Sequence, residues 1–331
     1  MLRRVFVLPL AAAFSIITFA LSGAVGSAAT ADDRSDLKNF QHVWVIMMEN
    51  TGYSHLIGNS NAPWINSAAA QFGLATSYTG VSHPSQPNYI AATSGSTNGV
   101  TNDDDITINV ANVVDQIEPS GRSWKAYMQS MSLCATKLDH ACGNQLYERK
   151  HNPFVSYLDV QTSASRMANI VDFSQLDSDL ASGSVANYVW ISPDQCNDMH
   201  GRGGTDPATD RCNFANENDL IQDGDAFLSS TVGKIMASPA WGGNSAIFIT
   251  WDESDFPFND VSGCCDAVPG GGHVVTLVIS HSDHAARTSS VAYNHYSMLA
   301  TIEQGWQIGC LAFACDSANV TPMSDLVGPQ G

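Results

Sequence analysis

The chain has 331 residues and a formal net charge of −18, with 32 acidic side chains against 14 basic ones. Such an acidic surface repels nucleic acid and anionic bilayers at long range, so we expect neither as a partner. A small anionic substrate is compatible with this charge, provided that a metal ion, His, Lys or Arg supplies local positive charge.

The amino-terminal segment has the layout of a secretory signal peptide. Arg3 and Arg4 precede an apolar run that extends to about residue 25, and small residues follow it. We expect residues 1–29 to be removed, and residues 30–331 to form a single secreted domain, either extracellular or in the cell envelope. An uncleaved anchor is the alternative, because the apolar run is long for a signal. No later stretch is apolar enough to span a bilayer, so we expect no stable membrane insertion of the mature chain. We also expect a monomer.

Near-continuous apolar runs, which are typical of strands covered on both faces, alternate along the chain with helical patterns. Strands are predicted at Val43–Met48, Ala75–Val81, Val185–Ile191, Ala246–Trp251 and His273–Ser280. Helices are predicted at Pro63–Phe72, Gln86–Thr93, Val110–Ile117, Ile170–Leu180, Asp219–Ala237 and Tyr296–Gln304. This alternation predicts an α/β fold, with a mostly parallel central sheet flanked by helices on both faces.

Polar side chains follow three of the predicted strands, at the sheet edge where ligands bind in such folds. The first strand is followed by Glu49 and Asn50, and the strand Ala246–Trp251 by Asp252 and Glu253. The predicted strand Val185–Ile191 is followed by Asp194, Asn197, Asp198 and His200. Converging carboxylates raise each other's pKa or recruit a cation, and oxygen ligands suit a hard divalent ion. Calcium, magnesium, manganese, iron and zinc all stay open. The alternative is ordinary solvated loop carboxylates.

Ser85 stands at or near the N-cap of the predicted helix Gln86–Thr93, with Pro87 in its first turn. A hydroxyl at this position lies beside free N–H groups and the positive end of the helix dipole, which favour an alkoxide and a bound phosphate. The pattern therefore predicts a nucleophile, although a simple helix cap is the alternative. Ser82 and Thr93 are rival hydroxyls with less support.

Eight cysteines in an exported chain predict disulfides. Proximity in sequence suggests Cys134–Cys142, Cys196–Cys212 and Cys310–Cys315. Cys264 and Cys265 are adjacent, and because a bridge between neighbours is strained, we expect them to pair elsewhere or to stay free. The acidic run Asn102–Asn109 lacks the spacing of a calcium-binding hand and is predicted to be a solvated loop.

Seven blocks occur in order along the chain: MMENTGYSHLIG, HPSQPNYIAATSG, RKHNPF, SPDQCNDMHG, ITWDESD, GGGHVVTLVIS and YNHYSMLATIE. In these blocks the chain resembles the phosphoesterase family of secreted acid phosphatases and bacterial phospholipases C, within the alkaline phosphatase superfamily. The resemblance runs from about residue 42 to residue 304. It implies an alkaline-phosphatase-like fold.

The resemblance also implies roles for individual residues. The metal ligands would be Glu49, Asn50, Asp252 and Glu253, completed by Ser85, which would attack phosphorus. His200 and His273 would stand on the phosphate side, as general acid, oxyanion partners or ligands of a second ion. Candidate contacts to phosphate or substrate are Lys150, His151, Asn88 and Asp198. His83 and His295 are further possible site residues, with packing or capping as the alternative. The block NDMHG lacks the Asp-x-x-x-His element of two-zinc members, which speaks against a two-zinc centre.

Together these patterns predict a secreted, metal-dependent phosphoesterase that hydrolyses small phosphate monoesters through a phosphoserine intermediate. Two alternatives are kept. One is a phosphodiesterase of the phospholipase C type, acting on phospholipid or glycerophosphodiester head groups. The other is a binding protein that holds metal or phosphate without turnover.

Overall fold

The structure is a computed structural model that describes residues 39–255, 259–265, 269–283 and 285–328. The predicted signal peptide and its cleavage site lie outside these ranges. None of the helices in the described ranges combines the length and the apolar character that crossing a bilayer requires.

Eleven strands and ten helices are formed by the described residues. The strands are β1 Val43–Met48, β2 Gly73–Thr79, β3 Trp124–Met128, β4 Ala141–Cys142, β5 Tyr147–Glu148, β6 Ile170–Asp172, β7 Tyr188–Ser192, β8 Ala246–Trp251, β9 His273–Ser280, β10 Arg287–Ser289 and β11 Tyr293–Asn294. The helices are α1 Tyr53–Leu56, α2 Pro63–Gln71, α3 Ser85–Ser94, α4 Val113–Ile117, α5 Leu158–Gln161, α6 Ala164–Ala168, α7 Leu176–Ser182, α8 Glu217–Ala237, α9 His295–Trp306 and α10 Ser324–Val327.

The central sheet has the strand order β10-β2-β9-β8-β1-β7-β3-β6, and β11 also pairs with β2. All its pairings are parallel except those of β9 with β2 and β8. Every residue of β1 and β8 is buried, which means that both faces of the sheet centre are covered. Helices α2 and α8 pack together, and so do α3 and α9. The predicted α/β class with a mostly parallel sheet is confirmed.

The register of the two central strands decides where the acidic side chains go. β1 and β8 run parallel, with Met48 opposite Trp251. One residue further along each strand come Glu49 and Asp252. The backbone N–H of Asp252 donates to the carbonyl of Met48 at 2.9 Å, so the two chains remain paired at this edge.

The predicted helix Ile170–Leu180 is wrong in its first half. Ile170 and Val171 belong to the edge strand β6, which pairs in parallel with β3, and α7 begins only at Leu176. β-branched residues favour a strand where a neighbouring strand is available. The strand β3 itself was not predicted, because Lys125 interrupts its apolar pattern; in the structure the Lys125 ammonium reaches Asp179 at 2.6 Å.

Three predicted disulfides are present, Cys134–Cys142, Cys196–Cys212 and Cys310–Cys315. The expectation for the remaining two cysteines is wrong, because Cys264 and Cys265 are bonded to each other. Cys265 has a positive φ of 93°, a backbone conformation that the sequence did not indicate.

One stabilising contact between helices is testable. Asp225 of α8 accepts hydrogen bonds from the backbone N–H groups of Trp64 and Ile65, at 3.1 and 2.8 Å, in the first turn of α2. Because Asp225→Ala leaves these donors without their acceptor, we expect it to lower the free energy of unfolding by about 2 kcal/mol in urea denaturation. The control is Asp223→Ala, which removes an exposed ion pair with Arg211 and should cost less than about 0.5 kcal/mol. Equal losses would contradict the capping role.

Candidate active site

Ser85 lies among oxygen atoms that come from two other, separate parts of the chain. Its Oγ is 3.1 Å from Glu49 Oε2 and 3.1 Å from Glu253 Oε1. It is also 3.4 Å from Asn50 Oδ1. A hydroxyl carries one proton and can donate to only one of these acceptors, so the remaining contacts bring oxygen lone pairs together. Such a cluster is stabilised by a cation or by a proton on a carboxyl group.

The three carboxyl groups of the cluster are fully buried. Burial raises the pKa of Glu49 well above its ordinary value, and the charge of Asp252 adds to this shift. Burial and the charge of Glu253 likewise raise the pKa of Asp252. Burial also raises the pKa of Glu253, although the hydrogen bond from His83 opposes it. Three ionised carboxylates are therefore unfavourable here unless positive charge stands between them.

Asp252 contributes an oxygen that protein groups do not satisfy. Its Oδ1 accepts from the backbone N–H groups of Asn50 and Glu253, at 3.1 and 2.7 Å. Its Oδ2 is buried and has no hydrogen-bond partner. An orphaned carboxylate oxygen beside Glu49, Glu253, Asn50 and Ser85 fits a hard divalent cation, which prefers oxygen ligands. Glu49, Asp252 and Glu253 do not each place an oxygen within 4.8 Å of the other two. Among the described residues, only Cys134, Asp139 and Cys142 bring three possible ligand atoms within that distance of one another. Those cysteines form a disulfide and offer no thiolate.

Two non-glycine residues beside the cluster have positive φ angles. Asn50 has φ 36° and Met199, next to His200, has φ 83°. Such backbone is costly for residues with a side chain and is concentrated at functional sites. At Asn50 it lets the Nδ2 group donate to Glu253 Oε1 at 3.2 Å, while the backbone N–H serves Asp252.

His83 supports Glu253. Its Nδ1 contacts Glu253 Oε2, and its Nε2 lies 3.0 Å from the carbonyl of Asp260. Burial opposes protonation of this ring, but the Glu253 and Asp260 contacts prevail and raise the pKa of His83. The predicted possible site residue is thus in the cluster, where it orients a carboxylate.

His295 lies behind the cluster and does not face it. Its Nε2 is 2.7 Å from the backbone carbonyl of Asp252, and its Nδ1 is 3.0 Å from the Tyr78 hydroxyl. Burial lowers the pKa of His295 to about 4, so the ring is neutral. Of the two interpretations of this residue, the structure favours packing and backbone support.

The Lys150 ammonium is close enough to the cluster to oppose the rise in the pKa of Glu49. It pairs with Asp103 Oδ2 at 2.9 Å and is largely buried. Burial opposes the charge, but Glu49 and Asp103 outweigh it and raise the pKa of Lys150, which stays protonated. Asp103 Oδ1 also accepts from the backbone N–H of Gln86 at 2.9 Å. One of the N–H groups at the start of α3, predicted to be free for phosphate, is therefore already used.

Five of the eight residues of the acidic run Asn102–Asn109 are exposed, as expected of a solvated loop, but Asp103 makes contacts within the site. Asp103 belongs to the site, and Asp105 lies 3.2 Å from an Arg149 nitrogen and 3.0 Å from His140 Nδ1. The acidic run is held by basic side chains that the sequence places about 45 residues away.

His151 is buried against Glu49, with its Nε2 3.0 Å from Glu49 Oε1, and its ring stacks on Tyr89. Burial and the neighbouring charge of Lys150 hold the pKa of His151 well below its usual value. The Tyr89 hydroxyl donates to Glu49 Oε1 at 2.6 Å. His151 Nε2 has no hydrogen-bond partner among the described residues, so the neutral ring packs beside Glu49 without a hydrogen bond, and its predicted contact with phosphate or substrate stays a prediction.

Asp198 and His200 lie on the loop after β7. The carbonyl of Asp198 accepts from the Glu49 N–H at 2.9 Å, and its Oδ1 accepts from the His200 N–H at 2.8 Å. Burial raises the pKa of the Asp198 carboxyl, and the charge of Glu49 adds to the shift. His200 Nδ1 lies 2.6 Å from the Gly201 carbonyl and donates to it, which leaves Nε2 as the acceptor. Burial lowers the pKa of His200 to about 4.

His273 is close to the rim of the site. It begins β9, its ring stacks on Tyr53 with centroids 4.3 Å apart, and its N–H donates to Asp260 at 2.8 Å. Its Nε2 is buried without a hydrogen-bond partner. In the described chain no contact joins His273 to Ser85, so its predicted catalytic role stays a prediction.

The prediction that Asn88 contacts phosphate is contradicted by its hydrogen bonds. Asn88 Oδ1 accepts from the N–H groups of Val81 and Ser82, at 2.7 and 3.0 Å. Its Nδ2 donates to the carbonyls of Ser82 and Pro84, at 2.8 and 3.3 Å. All four hydrogen-bonding positions of the amide are used, and the side chain therefore holds the loop that leads into Ser85.

Three residues of the site were missed by the sequence analysis. Tyr89 is four residues after Ser85, so it lies on the same side of α3, and this spacing was a usable signal. Asp103 and Asp260 come from loops, and no local pattern indicates which loop carboxylate turns inwards.

A sequence model of the Phosphoesterase family matches residues 59–309, most of the chain. The chain belongs to the Phosphoesterase family. A Kluyveromyces lactis protein named probable acid phosphatase is 25% identical, covering 91% of this chain and 66% of that relative. A Mycobacterium tuberculosis protein named phosphatidylinositol-3-phosphatase is 27% identical, covering 92% of this chain and 87% of that relative. The family and these names indicate the predicted enzyme class, a hydrolase acting on phosphoric ester bonds.

The fold of this Phosphoesterase member has counterparts among solved structures. A Vibrio parahaemolyticus protein of the alkaline phosphatase superfamily aligns with TM-score 0.52 and 13% identity, over 82% of this chain and 67% of that one. At this identity the likeness shows the fold alone, and it agrees with the predicted alkaline-phosphatase-like architecture. Among the relatives, the chain spans only 66% and 63% of the Kluyveromyces lactis and Aspergillus fumigatus proteins.

The bracing role of Asn88 gives a test at this site. In Asn88→Asp the shape is kept, but the two N–H donors are lost and a carboxylate faces the carbonyls of Ser82 and Pro84. We expect the free energy of unfolding to fall by about 2–3 kcal/mol in urea denaturation. Asn218→Asp, at an exposed position of α8, is the matched control and should be nearly neutral. Unchanged stability with weaker phosphate binding would restore the original prediction of a substrate contact.

Proposed function

We propose that this Phosphoesterase member is a secreted, metal-dependent enzyme that hydrolyses phosphate monoesters through a phosphoserine at Ser85. The observation that carries the proposal is the position of the Ser85 hydroxyl, at the start of α3 and 3.1 Å from a carboxylate oxygen of both Glu49 and Glu253. Four disulfides agree with an oxidising compartment, and hence with export.

The metal ion would be held by Glu49, Asn50, Ser85, Asp252 and Glu253. When bound, a divalent cation lowers the pKa of an adjacent hydroxyl and offsets the charge that develops on phosphoryl oxygens. The orphaned Asp252 oxygen and the mutual repulsion of the buried carboxylates support this assignment.

In the first step the Ser85 oxygen attacks phosphorus and passes its hydroxyl proton to the Glu49 carboxylate 3.1 Å away, while the bond from phosphorus to the ester oxygen breaks. The same proton returns to the Ser85 oxygen when water hydrolyses the phosphoserine. Lys150 stays charged beside the cluster and stabilises the negative charge on the phosphoryl oxygens. Asp103 fixes Lys150 relative to the first turn of α3, because one of its oxygens bonds each of them.

His200 is the proposed proton donor to the leaving alcohol. Its Nδ1 is engaged by the Gly201 carbonyl, so Nε2 is the atom available for proton exchange. With a pKa of about 4, His200 carries this proton in acid and loses it as the pH rises. After the alcohol leaves, neutral His200 takes a proton from the water that hydrolyses phosphoserine. The acid phosphatase names of several relatives agree with this direction of pH dependence.

The names of the relatives also favour a monoester substrate over a diester. Several relatives are named acid phosphatase and one is named phosphatidylinositol-3-phosphatase, and this chain covers 87% of the length of the latter. The acidic net charge disfavours adsorption to anionic membranes, which supports a small soluble monoester.

The nucleophile is tested by Ser85→Ala. Because the variant lacks the attacking oxygen, we expect turnover of p-nitrophenyl phosphate to fall by about three orders of magnitude or more, with unchanged thermal unfolding. The control Ser82→Ala removes a hydroxyl that, within the part of the chain that the structure describes, donates to the His83 carbonyl, and should stay within about threefold of the parent chain.

The same assay separates the candidate functions. Faster turnover of p-nitrophenyl phosphate than of bis-p-nitrophenyl phosphate is the expected result. Preference for the diester would favour the phospholipase C type, and no turnover of either would leave a binding protein. Full activity in Ser85→Ala would overturn the proposed nucleophile.

Metal dependence is tested by elemental analysis together with chelation. We expect about one divalent ion per chain in the purified protein, and loss of turnover in EDTA that is restored by adding one of the five candidate ions. Asp252→Asn should lower both the metal content and the turnover, whereas Asp177→Asn, an exposed partner of Lys234, should change neither. A metal-free preparation with full turnover would refute this part of the proposal.

A further inference from the structure

A cavity of about 360 Å³ opens beside Asn50 and His200. One part of its wall is apolar and consists of Met199, Phe214 and Leu220. Another part carries the polar side chains of His55, Glu217 and Asp255. We refer to these six residues and the space they enclose as the outer cavity. Asn50 also lines this cavity, and its Oδ1 is 3.4 Å from Ser85 Oγ, so one residue links the outer cavity to the buried nucleophile.

Phe214 is unusual in this wall because it is 62% exposed. An exposed aromatic ring beside a catalytic cluster commonly marks a contact for a ligand, since leaving it in water gains nothing for folding. Other exposed apolar side chains occur elsewhere, such as Val291 at 39%, but these do not line the outer cavity.

The position of Phe214 is fixed by the segment that also carries His200. The Phe214 N–H donates to the Arg202 carbonyl at 3.2 Å. The Cys196–Cys212 disulfide closes the loop that contains both His200 and Arg202 and ends two residues before Phe214. Gly201, at φ 78°, approaches the Phe214 backbone so closely that a Cβ would lie 2.7 Å from its Cα. The ring and the proposed proton donor are therefore held together by one braced loop.

The polar part of the wall is negatively charged. His55 Nδ1 lies 2.5 Å from Glu217 Oε1, and His55 Nε2 lies 3.5 Å from Asp255 Oδ2. One imidazole thus stands between two carboxylates, and even a protonated ring balances only one of them. An additional phosphate or carboxylate in the outer cavity would be repelled by this wall.

A second cavity of about 290 Å³ lies on the other side of His200 and is lined by Lys150 and Asp103 among others. His200 lines both cavities. The lining of the second cavity contains Lys150 and Arg202 as well as Asp103 and Glu148, whereas the outer cavity has carboxylates but no Lys or Arg among the described residues that line it, so we take the second cavity as the side for phosphoryl oxygens. The outer cavity is then the space left for the alcohol part of the ester, with His200 at the junction where the bond to phosphorus breaks.

We infer that the outer cavity is the subsite for the alcohol part of the substrate, and that it selects apolar alcohols without further negative charge. The inference rests on the proposed function, because it takes the phosphorus to lie at Ser85. Phe214 supplies apolar contact, and Glu217 with Asp255 repels a second anionic group. Aryl and similar monoesters are thereby favoured over substrates that carry several phosphates.

The inference is tested by calorimetric binding of three non-hydrolysable phosphonates to the full chain as purified. Methylphosphonate reports the phosphate side alone, phenylphosphonate adds an apolar ring, and 4-carboxyphenylphosphonate adds a charge to that ring. We expect phenylphosphonate to bind about tenfold more tightly than methylphosphonate, and the carboxylated ring to lose most of this gain.

Two variants separate the two parts of the wall. Phe214→Ala should remove most of the gain from the phenyl ring and leave methylphosphonate binding unchanged. Glu217→Gln, at an exposed position of α8, should strengthen binding of the carboxylated ring about threefold to tenfold, with phenylphosphonate unchanged. Val291→Ala is the control for removal of an exposed apolar side chain and should alter none of the three affinities.

The outcomes distinguish this inference from the proposed function. Equal affinities for the three phosphonates, in a chain that turns over p-nitrophenyl phosphate, would overturn the inference and leave the proposed function standing. Unaltered selectivity in both variants would do the same. Absence of binding to all three, together with absence of turnover, would remove the proposed function and the inference with it.

Discussion

The site depends on one constraint: three carboxyl groups are kept together, in the protein interior, against their mutual repulsion. The sheet imposes this arrangement, because β1 and β8 are parallel neighbours whose register sets Glu49 beside Asp252 at the same edge. Both strands are buried along their whole length, so their packing stabilises the folded state. Burial of the three carboxyl groups destabilises it, because charged groups lose their hydration in the interior. A cation between the acids would turn that cost into binding free energy, which links folding to metal affinity.

The groups around the cluster follow from the need to fix each oxygen. Glu49 accepts a hydrogen bond from Tyr89, and Glu253 is held by His83. Behind the strand end, His295 fixes the backbone at Asp252. His295 is neutral, whereas the contacts of His83 with Glu253 and Asp260 raise its pKa and favour a positive charge beside the cluster. His83 and His295 therefore position acidic residues, and His200 differs in lining the two cavities.

The sequence was sufficient for the parts of the site that strands deliver. Glu49, Asp252 and Glu253 follow apolar strands directly, so the edge of the sheet on which they meet was predictable from the α/β pattern alone. Ser85 was predictable because the helix start after His83-Pro84 is marked in the sequence. Asp103 was not predictable, because its loop acquires its conformation from Lys150 and Gln86, which are distant in sequence. The role of Asn88 was predicted wrongly for a similar reason. Its amide bonds four backbone groups of the preceding loop, and the residue types in that loop do not indicate these hydrogen bonds.

Charge gives the two sides of the site different chemistry. The chain as a whole is strongly acidic, yet the buried Lys150 keeps its proton because Glu49 and Asp103 stabilise it. On the proposed assignment, the phosphoryl group lies towards Lys150 in the second cavity, while Glu217 and Asp255 line the outer cavity. An ester with a single phosphate can turn this group towards Lys150 and leave its alcohol against Phe214, whereas a substrate with anions at both ends cannot satisfy both sides. Long-range repulsion by the surface therefore need not prevent phosphate binding, because the field that matters for orientation is set by the few charges that line the two cavities.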